Sequence, residues 1–219
     1  MSSATLHSWL PMSSRQCIQF NLLISNWYYI NVFNYHQQYR VSMEALGWDL
    51  LSISHSEVGA NRKHRSNRFL TVIQYCLDIT KCFVELLRLS HPKSRFVFVV
   101  GRESTVRGVS FNNGEIVCDV ACKIMGCRLV LRQERVFTNR FGQRIIEDIL
   151  HFVPPQRMPD KPHLTEARTL AYSTLQAALH RADADKSEEI GMAIRSVMKI
   201  QPSPLFTLSD THKNSLALC

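Results

Sequence analysis

The run RFVFVVG (95–101) constrains this chain more than any other segment. Between Arg95 and Gly101 it is continuously apolar and rich in β-branched valine. A strand that alternates apolar and polar residues buries one face, whereas an unbroken apolar run needs both faces covered. That is how a central strand of a parallel sheet reads. The clearest helix precedes it, in NRFLTVIQYCLDITKCFVELLRL (67–89). There Phe69, Val72, Ile73, Cys76, Ile79, Phe83, Leu86 and Leu87 recur at helical spacing, and Leu70 and Leu77 widen the stripe. HPKS (91–94) reads as the turn between helix and strand.

The rest of the chain supplies layers for such a strand. FNLLIS (20–25) is a short buried strand, and a helix runs through YHQQYRVSMEALG (35–47) into a loop over 48–66. NGEIVCDVACKIMGC (113–127) is helical, with Ile116, Val117, Val120, Ala121 and Ile124 inward. RLVLRQERVF (128–137) and IIEDILHFV (145–153), separated by TNRFGQR, predict an antiparallel hairpin. PPQRMPDKP (154–162) holds four prolines and ends this part. Two helices follow, in LTEARTLAYSTLQAALHR (164–181) and DKSEEIGMAIRSVMKI (185–200), the second opening on Asp185 and Glu188 as a capping box. The expected organisation is a disordered leader (1–19), an α/β domain (20–153), a proline-rich linker (154–163), and a helical C-terminal extension with its tail (164–219).

Charge and cysteine usage narrow the partners. The chain has 219 residues and a net charge of +8. Residues 1–155 carry 18 Lys+Arg against 11 Asp+Glu, so +7 of the excess lies there. Its densest point, GANRKHRSNR (59–68), holds Arg62, Lys63, Arg65 and Arg68 with no acid. Such a run suits phosphate contacts, and equally a solvated loop. Seven cysteines without a CxxC pair imply reduced thiols and a cytoplasmic setting. Cys118 and Cys122 have no nearby His, so no metal site is expected. No run is long and apolar enough to span a membrane. The signatures of zinc proteases, α/β-hydrolases and P-loop enzymes are absent, as is a glycine-rich turn after the first strand.

In an open α/β sheet, ligands bind beyond the C-terminal ends of the parallel strands. Here that junction holds Asn26, Trp27, Tyr28, Tyr29 and Asn31, amides and aromatics that suit a planar polar ligand such as a nucleobase, or serve as core or interface residues. Four blocks in order, YINVFNYHQQYRVSMEALGWDL (29–50), SEVGANRKHRSNRF (56–69), RFVFVVGRESTVRGV (95–109) and FTNRFGQRIIEDILHF (137–152), resemble the amino-group DNA methyltransferases. The resemblance implies methyl transfer from S-adenosylmethionine to adenine N6 or cytosine N4, on a partial Rossmann-like α/β sheet ending in an antiparallel strand pair. It places Asn26-Trp27-Tyr28-Tyr29 at the base-binding turn, with Asn26 in the polar place and Tyr29 in the aromatic one. Trp27 and Tyr28 stand where that family has two prolines. The family's cofactor loop has no counterpart, so the resemblance implies a truncated C-terminal portion, or alternatively a non-catalytic DNA-binding or assembly subunit of a modification system. Arg62, Lys63, Arg65, Arg68, Arg102 and Arg107 would contact double-stranded DNA, and a protein partner would cover or supply the missing half.

Overall fold

The computed structural model describes residues 20–27, 30, 34–59, 64, 66–160 and 163–204. Strand β1 (Phe20–Trp27) opens the described chain. Three short helices follow: α1 (Tyr35–Gln38), α2 (Arg40–Ala45) and α3 (Leu50–Ser56). The sequence predicts a loop where α3 stands. The helix starts there because the Asp49 carboxylate accepts from the Leu51 N–H at 3.0 Å and the Ser52 hydroxyl at 2.6 Å, a side-chain cap. His36 of α1 donates its N–H to Glu57 at 2.5 Å, tying this group of helices together.

Helix α4 (Leu70–Leu89) is the centre of the molecule. Every residue from Thr71 to Thr80 is buried, as are Cys82 and Phe83, so it is covered on all sides rather than along one stripe. It runs directly into β2 (Ser90–Gly101). The turn expected at 91–94 lies inside that strand as an irregularity: the partner of β1 jumps from Ser90 to Arg95, and the Ser94 hydroxyl accepts from the His91 N–H at 2.9 Å. A tight hairpin, β3 (Glu103–Val106) and β4 (Val109–Asn112), comes next. Its turn has positive φ at Arg107 (50°) and Gly108 (81°), the geometry that matches the twist of a two-residue hairpin. Helix α5 (Asn113–Asp119) continues into a π-helical turn, where the Met125 N–H reaches the Val120 carbonyl at 2.9 Å. Strands β5 (Arg128–Thr138) and β6 (Arg144–Val153) form the antiparallel hairpin that the sequence predicts. Helices α6 (His163–Leu179) and α7 (Ala184–Arg195) close the described chain. The N-cap of α7 is Asp183, two residues before the expected capping box, and its carboxylate takes Lys186 at 2.6 Å.

The main sheet has the order β1-β2-β6-β5. β1 and β2 run parallel, whereas β2–β6 and β6–β5 are antiparallel. This overturns the expectation of a Rossmann-like methyltransferase sheet. The described sheet is small and mixed, with a single parallel pair, and lacks the open succession of parallel strands that such a fold requires. The apolar run in β2 has another cause. Phe96, Phe98 and Val100 face inward and are buried, while Val97 and Val99 on the other face are only half-buried. The inward face meets α4 through an aromatic cluster: Phe83 lies 5.2 Å from Phe98 and 6.1 Å from Phe152, ring centroid to centroid.

On its far side α4 packs against α6, whose Ala167, Ala171, Leu175 and Ala178 are fully buried and permit close approach. A polar clamp covers a further face. Asp78 accepts from the Ser203 N–H at 2.6 Å and the Ser203 hydroxyl at 2.5 Å, and Lys81 donates to the Ser203 carbonyl at 3.1 Å. One continuous hydrophobic core therefore spans the sheet, α4, α5 and the two C-terminal helices. No helix among the described residues is long and apolar enough to cross a membrane.

Phe98 is the hub of the aromatic cluster, so Phe98→Ala should lower unfolding stability by about 3–5 kcal/mol in chemical denaturation. Met198 is 71 % exposed, and Met198→Ala should stay within about 0.5 kcal/mol of the parent.

Candidate nucleic-acid interface

Strand β6 carries two buried acids side by side, Glu147 and Asp148. By strand alternation they point to opposite faces of the sheet. A carboxylate removed from water needs charged partners, and Asp148 has two. Arg102, just beyond the end of β2, donates to Oδ1 through Nη2 at 2.7 Å and Nε at 3.2 Å. Arg132 of β5 donates to Oδ2 at 2.9 Å. The network extends outward from there: Arg102 pairs with Glu134 at 2.7 Å, and Arg132 with Glu115 at 2.5 Å. On the other face Arg135 pairs with Glu147.

Burial pushes the Asp148 carboxyl up, but the hydrogen bonds from Arg102 and Arg132 outweigh it and hold the group below the ordinary carboxylate value. The hydrogen bond to Asp148 correspondingly raises both Arg102 and Arg132, so all three stay charged at neutral pH. Helix α5 completes the enclosure. Asn112 caps it by accepting from the Glu115 N–H at 3.0 Å. Gly114 lies so close to Asp148 that a Cβ there would collide with Oδ2.

This hub anchors a projecting ribbon. Pairing between β2 and β6 ends at Gly101 and Glu147, with one further bond from the Arg102 N–H to the Ile146 carbonyl at 2.9 Å. Beyond it, among the described residues, β5 and β6 continue as two strands only. Asn139 closes the tip: its side-chain oxygen accepts from the Phe141 N–H at 2.9 Å and the Gln143 N–H at 3.0 Å. Residues 128–144 hold five arginines against the single acid Glu134. Arg128, Arg140 and Arg144 are exposed and have no carboxylate partner among the described residues. Phe141 is 72 % exposed, with the Arg140 guanidinium 4.7 Å above its ring, and Arg135 lies 5.4 Å from the Phe137 ring. Arg102, Glu103, Arg144, Ile145 and Ile146 line an open cleft of about 260 Å³ at the ribbon's base.

The residues singled out from the sequence lie in several places. Asn26 and Trp27 are the last residues of β1, opposite Val99 and Val100. Tyr28, Tyr29, Arg62, Lys63 and Arg65 lie outside the described residues. Arg68 is exposed just before α4. Arg102 belongs to the Asp148 network, and Arg107 pairs with Glu189 of α7 at 3.1 Å, holding the β3–β4 hairpin to the C-terminal helices. Of these cations, the three that are described, Arg68, Arg102 and Arg107, thus stand in different settings. The ribbon arginines were not singled out, although their signal is present: five arginines and two phenylalanines, Phe137 and Phe141, in a predicted hairpin.

No protein-family model, curated protein or solved structure matches the chain. The mixed sheet removes the methyltransferase assignment. Without the open parallel sheet the described residues form no Rossmann-type crevice for S-adenosylmethionine, and methyl transfer to a base amine falls with it. Four described cysteines are buried and all five are free. Burial pushes Cys76, Cys118 and Cys127 up to about 12, so they are inert thiols.

Asp148→Asn should destabilise the fold by about 1–3 kcal/mol, because Arg102 and Arg132 lose their shared anion but keep Glu134 and Glu115. The native carboxyl is held below its unfolded value of about 3.9, so the unfolded state binds the extra proton. Stability from this group is present above that value and lost as pH falls through the folded value. Denaturation midpoints measured from pH 6 down to pH 2 should fall for the parent and fall less steeply for Asp148→Asn.

Proposed function

We propose that this chain is a DNA-binding module that engages duplex DNA through the β5–β6 ribbon. The observation that carries the reading is the ribbon itself: two strands projecting beyond the sheet, net positive, with exposed arginines and an exposed aromatic at the tip. The major groove is about 12 Å wide and admits a two-stranded β-ribbon. Arginine suits both tasks there, bidentate contact to guanine and charge-assisted contact to phosphate. The Asp148 network supports the reading physically, since it holds the ribbon's base rigid and so lowers the ordering cost of binding. Arg140 and Arg144 are the phosphate or base contacts. Arg62, Lys63, Arg65 and Arg68 supply a second, sequence-independent group of phosphate contacts.

The test is fluorescence anisotropy with labelled duplex DNA across a range of salt. The parent should bind with an affinity that falls linearly in log–log form. Arg140→Ala and Arg144→Ala together should weaken binding and flatten the slope by about 0.9 for each phosphate contact removed. Replacing Arg62, Lys63, Arg65 and Arg68 with alanine should weaken all sequences alike. Unchanged affinity and slope in the ribbon variant would overturn the reading, as would stronger binding to single strands than to duplex.

A further inference from the structure

The same strand that carries the ribbon leaves one edge of the sheet open. No described strand lies beyond β5, and ten of its eleven residues are exposed, including Val130, Leu131, Val136 and Phe137 at 40–46 %. An edge of this length offers a row of backbone donors and acceptors to another strand. We propose that its occupant is β5 of a second copy of this chain, paired antiparallel about a two-fold axis through Gln133. The inference is independent of nucleic acid.

Geometry and charge together select that register. In an antiparallel pair, residues facing each other must both turn their N–H and C=O groups toward the partner, or both away. A symmetric pairing of β5 with itself must therefore centre on a residue and not between two. Centring on Arg132 sets arginine against arginine, as does centring on Arg135. Centring on Glu134 opposes two carboxylates. Like charges directly opposite are destabilising. Centring on Gln133 opposes the two glutamines, places each Arg132 against Glu134 of the second copy, and sets Leu131 against the aliphatic stem of Arg135. Two opposite-charge pairs form in place of one like-charge clash. Centres at Leu131 and Val136 also avoid a clash, but the first sets Arg128 against Glu134 only across the irregularity between Leu129 and Leu131, and the second forms no ion pair and reaches the tip within a few residues.

The irregularity between Leu129 and Leu131 ends the regular pairing on one side. The interface is consequently short and the dimer weak. By symmetry the two ribbon tips project in opposite directions from it and stay clear of the pairing.

Sedimentation velocity of the full chain without nucleic acid, over a hundred-fold range of concentration, should show a monomer–dimer equilibrium. Glu134→Arg opposes two arginines across the axis and should weaken association at least ten-fold. A second variant covers misfolding of the first. Gln133→Cys places two thiols face to face, where facing Cα atoms lie about 4.5–5.5 Å apart, within disulfide reach. Mild oxidation should yield a covalent dimer whose linking peptide, by mass spectrometry, joins the two introduced thiols. Thr138→Cys, far from its own symmetry mate in this register, should not form one. A monomer at every concentration overturns the proposal. So does association unchanged by Glu134→Arg, or equal cross-linking at both positions. A monomer whose β5 amides are protected from hydrogen exchange assigns the edge to another segment of the same chain, and overturns it too.

Discussion

The burial of one carboxylate organises the functional end of this molecule. Asp148 is fully buried, and the cations brought to it keep it charged. Arg102 arrives from the end of β2, Arg132 from the neighbouring strand, and α5 approaches so closely that only glycine fits at 114. Four elements are thereby fixed to one point at the edge of the sheet. Past that point no third strand among the described residues supports the hairpin. A two-stranded ribbon is marginal on its own in water, so its direction depends on the rigidity of this base.

The other organising constraint is α4. A helix covered on every side needs a separate layer for each face, and the chain supplies them in turn. The aromatic face of the sheet takes one side, α6 with its small alanines another, and the segment around Ser203 a third. The C-terminal helices, expected from the sequence as an extension beyond a proline-rich linker, contribute residues to the same core as the sheet. The polar clamp between Asp78 and Ser203 shows why α4 tolerates a buried acid on an otherwise apolar surface: the acid accepts from the Ser203 N–H and hydroxyl, and Gln74 donates to the same hydroxyl at 3.1 Å.

Local pattern was legible where it came from the chain's own neighbours. The α4 stripe, the β5–β6 hairpin and α6 follow from spacing and turn residues alone. What failed depended on partners distant in sequence. The unbroken apolar run of β2 implied parallel neighbours on both sides, yet one neighbour is antiparallel and one face is only half-buried. The inference ran from composition to topology, and composition does not encode strand direction. The resemblance to methyltransferases compounded this, since four blocks in order suggested a sheet that the strand pairings do not form. The short β3–β4 hairpin escaped notice because four-residue strands carry almost no periodicity, although Arg107-Gly108 marks its turn. Asp148 could not be found from sequence at all. Its partners lie 46 and 16 residues away, and a carboxylate within a strand reads as solvent-facing until those partners are known.

The charges on β5 reconcile an open edge with a chain that must not aggregate. Natural edge strands are guarded by charge, by bulges or by shortness, and β5 has the first two. Arg132 and Glu134 are already held by acids and bases of their own chain, so their side chains are not free to rearrange around an incoming strand. A foreign strand therefore meets a fixed sequence of charges, and any alignment that brings like charges together is penalised. An antiparallel copy of β5 centred on Gln133 avoids that cost. Fixing the charges from within thus does two things at once: it holds the ribbon in place and it restricts what the exposed edge can bind.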